Sequence, residues 1–473
     1  MRIPRLFVYS ASLVIGACTL APHYERPVAP VGKIFPYAAN QQDIAVERVA
    51  EIHWKNFYAE PYLQKLIALA LENNRDLRIA TLNIEAAQAQ YRIRRADLIP
   101  TVNLTGGGVR THTPADLSST SGEVTTSQYN AGLGVSAFEL DLFGRVRSQT
   151  HAASAEYLAT QAAQKSVQIS LIAEVAKTFF NLRALEQQWH YAQKIKQAYT
   201  QTYTLMQQRF DNGLATNSDL SIAQASLAQA QVDEAKFERA YAQARHGLEL
   251  LLGTPIPEDL SNSADFDKLS LQAVLPADLP SAILVTRPDV LQAELQLQAA
   301  NANVGAARAA FLPMITLTGN YGTASTQLSR LFKAGALAWS FTPRLVLPIF
   351  DLGRNFSTLD LAHARKNIAV AQYEQTLQIA FREVADALAA YATLGRQLQA
   401  AEKQAQAQKK YADLTQERLH SGINNAFDLL DAQRRSDLAQ QALLQLRADY
   451  LANRADLYKV LGGGVYADSK QKR

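Results

Sequence analysis

The chain is poor in cysteine, in organised histidine and in charge. Cys18 is the only cysteine among 473 residues, so no internal disulfide can form even in an oxidising compartment. The eight histidines, His23, His53, His112, His151, His190, His246, His363 and His420, are scattered without metal-ligand spacing. Met-rich and His-rich stretches are missing, which disfavours a metal-chelating protein. HExxH, GxSxG and Walker-type loops are also missing, and Gly106-Gly107-Gly108 follows a strand but opens no helix, so a phosphate loop is a poor reading of it. Glu139 and Asp141 are near neighbours, yet nothing else marks them as an acid–base pair. Charged residues make up 19% of the chain and the net charge is +4, which creates no field demanding nucleic acid or an acidic partner. The expectation is a non-enzymatic chain with no cofactor and no nucleic-acid partner.

What is present is a duplication. Leu77 to Gly106 reads LRIATLNIEAAQAQYRIRRADLIPTVNLTG, and Val290 to Gly319 reads VLQAELQLQAANANVGAARAAFLPMITLTG. Pro100 falls on Pro313, and Leu104-Thr105-Gly106 on Leu317-Thr318-Gly319. Further on, Arg209, Gly213, Asp219, Leu220, Ala223 and Gln224 match Arg418, Gly422, Asp428, Leu429, Ala432 and Gln433 at a shift of about 209 positions. Two copies of roughly 200 residues are too few for a propeller and too long for a solenoid. The boundaries expected are 61–265 for the first repeat and 266–464 for the second.

Arg2 and Arg5 precede the apolar stretch Leu6 to Ile15, which is too short to span a bilayer and reads as a signal peptide over residues 1–17. Ile15-Gly16-Ala17-Cys18 resembles a bacterial lipobox, with small side chains at the cut and a thiol to carry lipid. Thr19 in place of aspartate implies sorting to the outer membrane by the same resemblance. Residues 18–60 carry Pro22, Pro27, Pro30 and Pro36 and read as an extended tether. Residues 465–473, ending Lys470-Gln471-Lys472-Arg473, read as a solvated tail.

Within each copy two kinds of segment alternate. A helix is expected from Pro61 through Asp97, broken at Ile99-Pro100. Tyr129, Ala131, Leu133, Val135 and Ala137 then alternate with Asn130, Gly132, Gly134 and Ser136, and Val102 and Leu104 with Thr101, Asn103 and Thr105. The second copy sets Ile315, Leu317 and Tyr321 against Thr316, Thr318 and Asn320, and places Leu337, Trp339, Phe341, Leu345, Leu347 and Ile349 on one face. Two strands of roughly 9–11 residues per copy, joined by polar loops such as Thr111 to Ser127, are long enough to cross a bilayer when tilted. A soluble sheet on a core is the alternative. Four strands are too few to close a barrel alone, and no apolar layer covers them, so closure by oligomerisation fits better. From Val146 to Asn212 there is neither glycine nor proline. That reads as one helix, or two stacked, reaching roughly 100 Å. Asp211-Asn212-Gly213 stops it, and a second helix returns over Leu220 to Leu252. Arg354 to Ser421 and Phe427 to Leu461 mirror this pair about Gly422. The Ala- and Gln-rich composition suits thin-walled coiled-coil packing.

Leu71-Glu72-Asn73-Asn74-Arg75-Asp76-Leu77, Arg94-Arg95-Ala96-Asp97-Leu98, Phe138-Glu139-Leu140-Asp141-Leu142-Phe143-Gly144-Arg145, Gly305-Ala306-Ala307-Arg308-Ala309-Ala310-Phe311 and Leu429-Leu430-Asp431-Ala432-Gln433 resemble outer-membrane factors of the TolC/OprM type. The resemblance runs from the lipobox to about Gly464 and is nearest the OprM-like lipoprotein branch. It implies mixed α and transmembrane β structure: a homotrimer whose four strands per subunit close a twelve-stranded barrel, continued by a periplasmic α-helical barrel. It also implies an exit duct of a tripartite efflux pump, exporting drugs or other small toxic compounds. A periplasmic adaptor (membrane fusion) protein and a proton-driven inner-membrane pump would be the partners. Diacylglycerol and an N-acyl chain on Cys18 would be the only covalent additions.

Gly213 and Gly422 mark the hairpin turns expected to meet the adaptor. Asp219, Asp428 and Asp431 match positions where family members line the periplasmic aperture, where three copies of each would form an acidic ring that favours cations. An acid in the first turn of a helix is also favoured by the helix dipole, and this applies most to Asp219. Arg209 and Arg418 precede the turns and are candidates to bridge neighbouring helices in a closed state. Leu419 stands where relatives often have tyrosine. Metal-ion efflux, type I protein secretion and a non-transporting structural lipoprotein are the other readings. Cys18→Ala is expected to abolish acylation while some trimer still inserts. Mass spectrometry of the mature N-terminus checks this, and an unmodified wild-type N-terminus would exclude the lipobox.

Overall fold

The computed structural model describes residues 19–36, 52–118, 122–257, 266 and 281–463. The signal segment 1–17, Cys18, residues 37–51 of the tether, the junction near 265/266 apart from Phe266, and the tail 465–473 lie outside the described residues. The elements run in order α1 (Trp54–Phe57), α2 (Pro61–Asn73), α3 (Arg75–Ala96), β1 (Val102–Thr113), β2 (Val124–Glu139), α4 (Arg145–Asp211), α5 (Asn217–Leu252), α6 (Pro288–Ala309), β3 (Met314–Ser325), β4 (Leu337–Val346), α7 (Arg354–His420) and α8 (Ala426–Val460). The duplication is visible element by element. Helices α3 and α6 have 22 residues each, β1 and β3 have 12 each, and α4 and α7 have 67 each. Each long helix is unbroken, which settles the choice between one helix and two stacked ones.

Contacts divide the chain into two compact units, and the division cuts across both repeats. One unit holds residues 1–28, 83–160 and 292–373; the other holds 29–82, 161–291 and 374–473. Each long helix therefore begins in the first unit and continues into the second.

The first unit contains a single antiparallel sheet in the order β1-β2-β3-β4. Cross-strand partners share a face, so the register shows how the alternation reads across the sheet. Leu104 opposes Leu133, Leu133 opposes Tyr321, and Tyr321 opposes Trp339. The adjacent row, on the other face, is Asn103, Gly134, Asn320 and Ser340. One face is thus apolar and the other small and polar. Leu104, Leu133, Tyr321 and Trp339 are all exposed in the subunit. At one crossing β2 and β3 come close through Gly132 opposite Gly322. A methyl group on Gly322 would sit 2.2 Å from the Ala131 carbonyl oxygen, so neither position admits a larger residue.

Two details depart from strict alternation. The β2–β3 register shifts between Val135 and Phe138, and Ala137 takes φ 51°. This bulge removes Ala137 from the Tyr129-to-Val135 series and brings Phe138 opposite Leu317 on the apolar face. β4 stops at Val346, short of Leu347 and Ile349, because its partner Met314 is the first residue of β3.

The tether lies against α6 in the same unit. Tyr24 Oη and Arg26 Nε donate to Glu294 Oε1 at 3.1 and 2.8 Å, Asn301 Nδ2 donates to the Pro22 carbonyl at 2.8 Å, and Arg308 Nη1 to the Leu20 carbonyl at 3.3 Å. Gly305 admits the strap: a methyl group there would sit 2.7 Å from Ala21 Cα. The six extended steps from Leu20 to Arg26 cover ~20 Å, and the fourteen helical steps from Glu294 to Arg308 cover ~21 Å, so strap and helix stay in step.

The second unit packs α2 into an aromatic and aliphatic core. Leu63, Leu66 and Ile67 are fully buried, and the Phe57 ring lies 4.6 Å from Tyr458. The expected continuous helix from Pro61 breaks at Asn74, which is extended. Asn74 Oδ1 caps the Leu77 amide at 2.9 Å, and its Nδ2 donates to the Leu251 carbonyl at 2.9 Å. The second repeat solves the same problem with charge. Arg287 donates to the equivalent carbonyl, Val460, at 2.9 Å, and its Nη2 lies 2.7 Å from both Asp289 Oδ2 and Glu383 Oε2. The Arg287 side chain is only 7% exposed. Removing it takes the donor from the Val460 carbonyl and the counter-charge from two partly exposed carboxylates, so Arg287→Met should destabilise the helical unit by about 1–3 kcal/mol. Denaturant unfolding followed by far-UV circular dichroism checks this, and Arg287→Lys should recover part of the loss.

Candidate functional site

The two hairpin turns are built alike, bond for bond. After α4, the Gly213 amide donates to Phe210 at 2.9 Å and the Leu214 amide to Arg209 at 2.7 Å. After α7, the Gly422 amide donates to Leu419 at 3.0 Å and the Ile423 amide to Arg418 at 2.9 Å. Gly213 and Gly422 have φ +74° and +73°, the left-handed conformation that closes a helix in this way. Three residues on, Thr216 and Asn425 are the N-caps of α5 and α8. Leu214 and Ile423, at the outermost point of each turn, are 69% and 65% exposed.

The aspartates separate into two kinds. Asp219 accepts from the Thr216 amide at 2.9 Å and hydroxyl at 2.7 Å, while its own amide donates to Thr216 Oγ1. Asp428 accepts from the Asn425 amide at 3.2 Å, and its own amide donates to Asn425 Oδ1 at 2.8 Å. Each is the third residue of a capping box, a local structural duty that the spacing T-x-x-D and N-x-x-D makes legible. The bonds from Thr216 hold the Asp219 carboxyl below its ordinary range, and Arg209 adds to this by its charge. Asp431 stands one turn further along α8 and caps nothing. Its carboxylate is paired with Arg434 at 2.8 Å and Arg435 at 2.7 Å. The Arg434 hydrogen bond is the chief cause of its lowered pKa. Arg418 Nε donates to Asn424 Oδ1 at 2.8 Å within its own turn, and the Arg209 side chain is exposed. Within one subunit, then, the acids and arginines stay on their own hairpins.

One cluster above the turns has no sign in the repeat. Asp437 on α8 accepts from Tyr191 Oη at 3.0 Å and Tyr199 Oη at 3.4 Å, both on α4. The shift of about 209 positions places Ala228 opposite Asp437, and Ala400 and Gln408 opposite Tyr191 and Tyr199, so the duplication carries no hint of it. The cluster borders a groove of about 600 Å³ between α4, α5 and α8, which Tyr199, Ile195, Ile222 and Arg434 help to line. Burial pushes the Asp437 carboxyl up to about 6, against the opposing effect of the two phenols. Among the described residues no group of three or more His, Cys, Asp or Glu is arranged to hold a metal, and no helix is long and apolar enough to cross a membrane. Glu139 and Asp141 pair with Arg145 and Arg147, and Asp141 also caps the first amides of α4.

A sheet with one apolar face, one polar face and two open edges, in a chain with paired long helical hairpins, defines a subunit of a membrane channel. The chain belongs to the outer membrane efflux protein family, whose model matches residues 66–254 and 279–463. It is 44% identical to the antibiotic efflux pump outer membrane protein ArpC of Pseudomonas putida, over 97% of this chain and 95% of that protein. The toluene efflux pump outer membrane protein TtgC of the same species matches to the same extent, at 44% over 97% and 95%. The crystal structure of the open state of the MtrE outer membrane channel of Neisseria gonorrhoeae superposes with TM-score 0.85 at 40% identity, covering 95% of this chain and 99% of that one. The expectation of a mixed α and transmembrane β outer-membrane protein of the efflux type holds.

A pH test follows from Asp437. Its folded-state pKa lies above the ordinary 3.8, so its contribution to stability is full below that value and is lost as pH rises through about 6. Asp437→Asn is therefore expected to raise the melting temperature above pH ~7, with the gain vanishing toward pH ~4. Melting curves of both proteins across that range are the measurement.

Proposed function

We propose that three copies of the chain close a twelve-stranded barrel and form the exit duct of a tripartite efflux pump. The observation that carries this is the four-stranded sheet. Among the described residues its β1 and β4 edges are unpaired within the subunit, and its apolar row Leu104, Leu133, Tyr321 and Trp339 is exposed. Unpaired backbone groups are not tolerated in lipid, and pairing β4 of one copy with β1 of the next removes both edges. The apolar face then meets lipid, and the Asn103, Gly134, Asn320 and Ser340 row faces water. Relatives named for antibiotic and toluene efflux support small toxic compounds as the cargo.

The duct has no catalytic role in this reading, and a proton-driven inner-membrane pump supplies the energy. The exposed turns at Leu214 and Ile423 meet the periplasmic adaptor. Cys18 carries diacylglycerol and an N-acyl chain as a supplementary anchor, since a closed barrel already holds the protein in the membrane. Asp431, with Asp219 and Asp428 beside it, lines the aperture.

Purified protein in a planar bilayer should give stepwise, cation-preferring conductance. A folded trimer that never conducts would leave only a structural lipoprotein. Asp431→Asn removes a carboxylate and leaves Arg434 and Arg435 unpaired, so it should weaken both cation preference and block by trivalent cations without disturbing assembly. If Asp431→Asn and Asp219→Asn both match wild type in conductance, reversal potential and block, these residues are helix-end acids only.

A further inference from the structure

The second β-hairpin is charged with one sign. From Met314 to Phe350 there are Arg330, Lys333 and Arg344, and no aspartate or glutamate. The first hairpin, Val102 to Phe138, carries Asp116 and Glu123 in its turn. Both turns lie at the end of the sheet opposite the strand ends that continue into helices, and in an outer-membrane protein whose helices are periplasmic that is the outer end.

The turn between β3 and β4 is an ordered helical turn. The Arg330 amide donates to Gln327 at 3.1 Å, Leu331 to Leu328 at 3.3 Å and Lys333 to Arg330 at 3.1 Å, and the Ala324 amide closes the base onto Ala336 at 2.8 Å. Leu331 is buried and pins it. Leu328 and Phe332 are both large, apolar and exposed, at 65% and 80%. Arg330 and Lys333 are exposed as well. Neither is paired with a carboxylate among the described residues. A short turn that exposes two large apolar side chains and two cations, at the end of an apolar sheet face, suits a membrane interface.

We propose that this turn docks on the phosphorylated glycolipid of the outer leaflet. Leu328 and Phe332 enter its acyl layer, and Arg330 and Lys333 bind its phosphates. The proposal rests on the reading that the apolar face of the sheet meets lipid. Charge selects the occupant: an acid-free hairpin complements a leaflet surface dense in phosphate, and both cations belong to the turn that immediately precedes Leu337 and Trp339, which are exposed on that face.

The test uses the full-length trimer and purified lipid A, in its phosphorylated and dephosphorylated forms. Binding is read by native mass spectrometry and by the rise in trimer melting temperature. Wild type should prefer the phosphorylated form, and Arg330→Gln with Lys333→Gln should lower its affinity roughly thirtyfold. Phe332→Ser should weaken both forms. Equal binding of the two forms by wild type, or unchanged binding by the double variant, would overturn the proposal. So would competition by millimolar inorganic phosphate as effective as that by lipid. Dissociation of the lipid-free double variant into monomers would assign the turn to a neighbouring copy instead, and altered conductance in zwitterionic bilayers would place it in the lumen. Wild type that conducts normally but shows no phosphate preference fails this proposal alone, whereas wild type that never conducts fails the channel reading.

Discussion

The membrane end of this protein answers to the unpaired backbone at the two edges of a four-stranded sheet. A soluble protein hides such edges beneath a helix or a charge. In lipid neither device works, and only a neighbouring strand removes the cost. The subunit's β1 and β4 are left open and match in direction of use, so the remaining strands must come from further copies. The Gly132–Gly322 crossing and the bulge at Ala137 belong to the same constraint, because a closed sheet must curve and its bends are set by bulges and small residues.

The helices answer to a different demand. Alanine recurs among their buried positions, as in the cluster Ala152, Ala155, Ala299 and Ala302, and allows close approach without a thick core. Larger side chains gather where support is needed: around Phe57, Tyr58 and Tyr458, and around Tyr199, Met206 and Leu430. The two repeats share a backbone at their turns but diverge in side chains. Asn74 and Arg287 hold equivalent carbonyls, one neutral and one charged, and Asp437 has only Ala228 as its counterpart. Duplication supplied the scaffold, and the differences between the copies carry the specialised electrostatics.

That division explains what was legible in the sequence. Period-two alternation exposed the strands because each has one wet and one apolar face, and absence of glycine and proline exposed the long helices. The turns were legible too, since Gly213 and Gly422 are obliged by their left-handed backbone. The break at Asn74 was not, because asparagine ends a helix only when its side chain finds partners, and one of them is Leu251, far away in sequence. The Asp437 cluster and the Arg287 triad escaped for the same reason: each joins residues from separate helices, at positions where one side chain alone looks like a solvated charge. At the candidate site the spacing T-x-x-D and N-x-x-D marks Asp219 and Asp428 as capping acids, whereas the pairing of Asp431 with Arg434 and Arg435 emerges only from the structure.

The strap along α6 has a consequence for the order of biogenesis. Residues 20–26 are held by Glu294, Asn301 and Arg308, partners 268 to 288 positions later in the chain. Ribosomes and export machinery deliver the N-terminus first, yet its seat does not exist until the whole first repeat and the opening of the second have been delivered and α6 has formed. The segment made earliest is thus settled late, and contacts of such long sequence separation are slow to form. The tether must remain extended and unclaimed through that interval, and its four prolines, which resist both helix and ladder, keep it so.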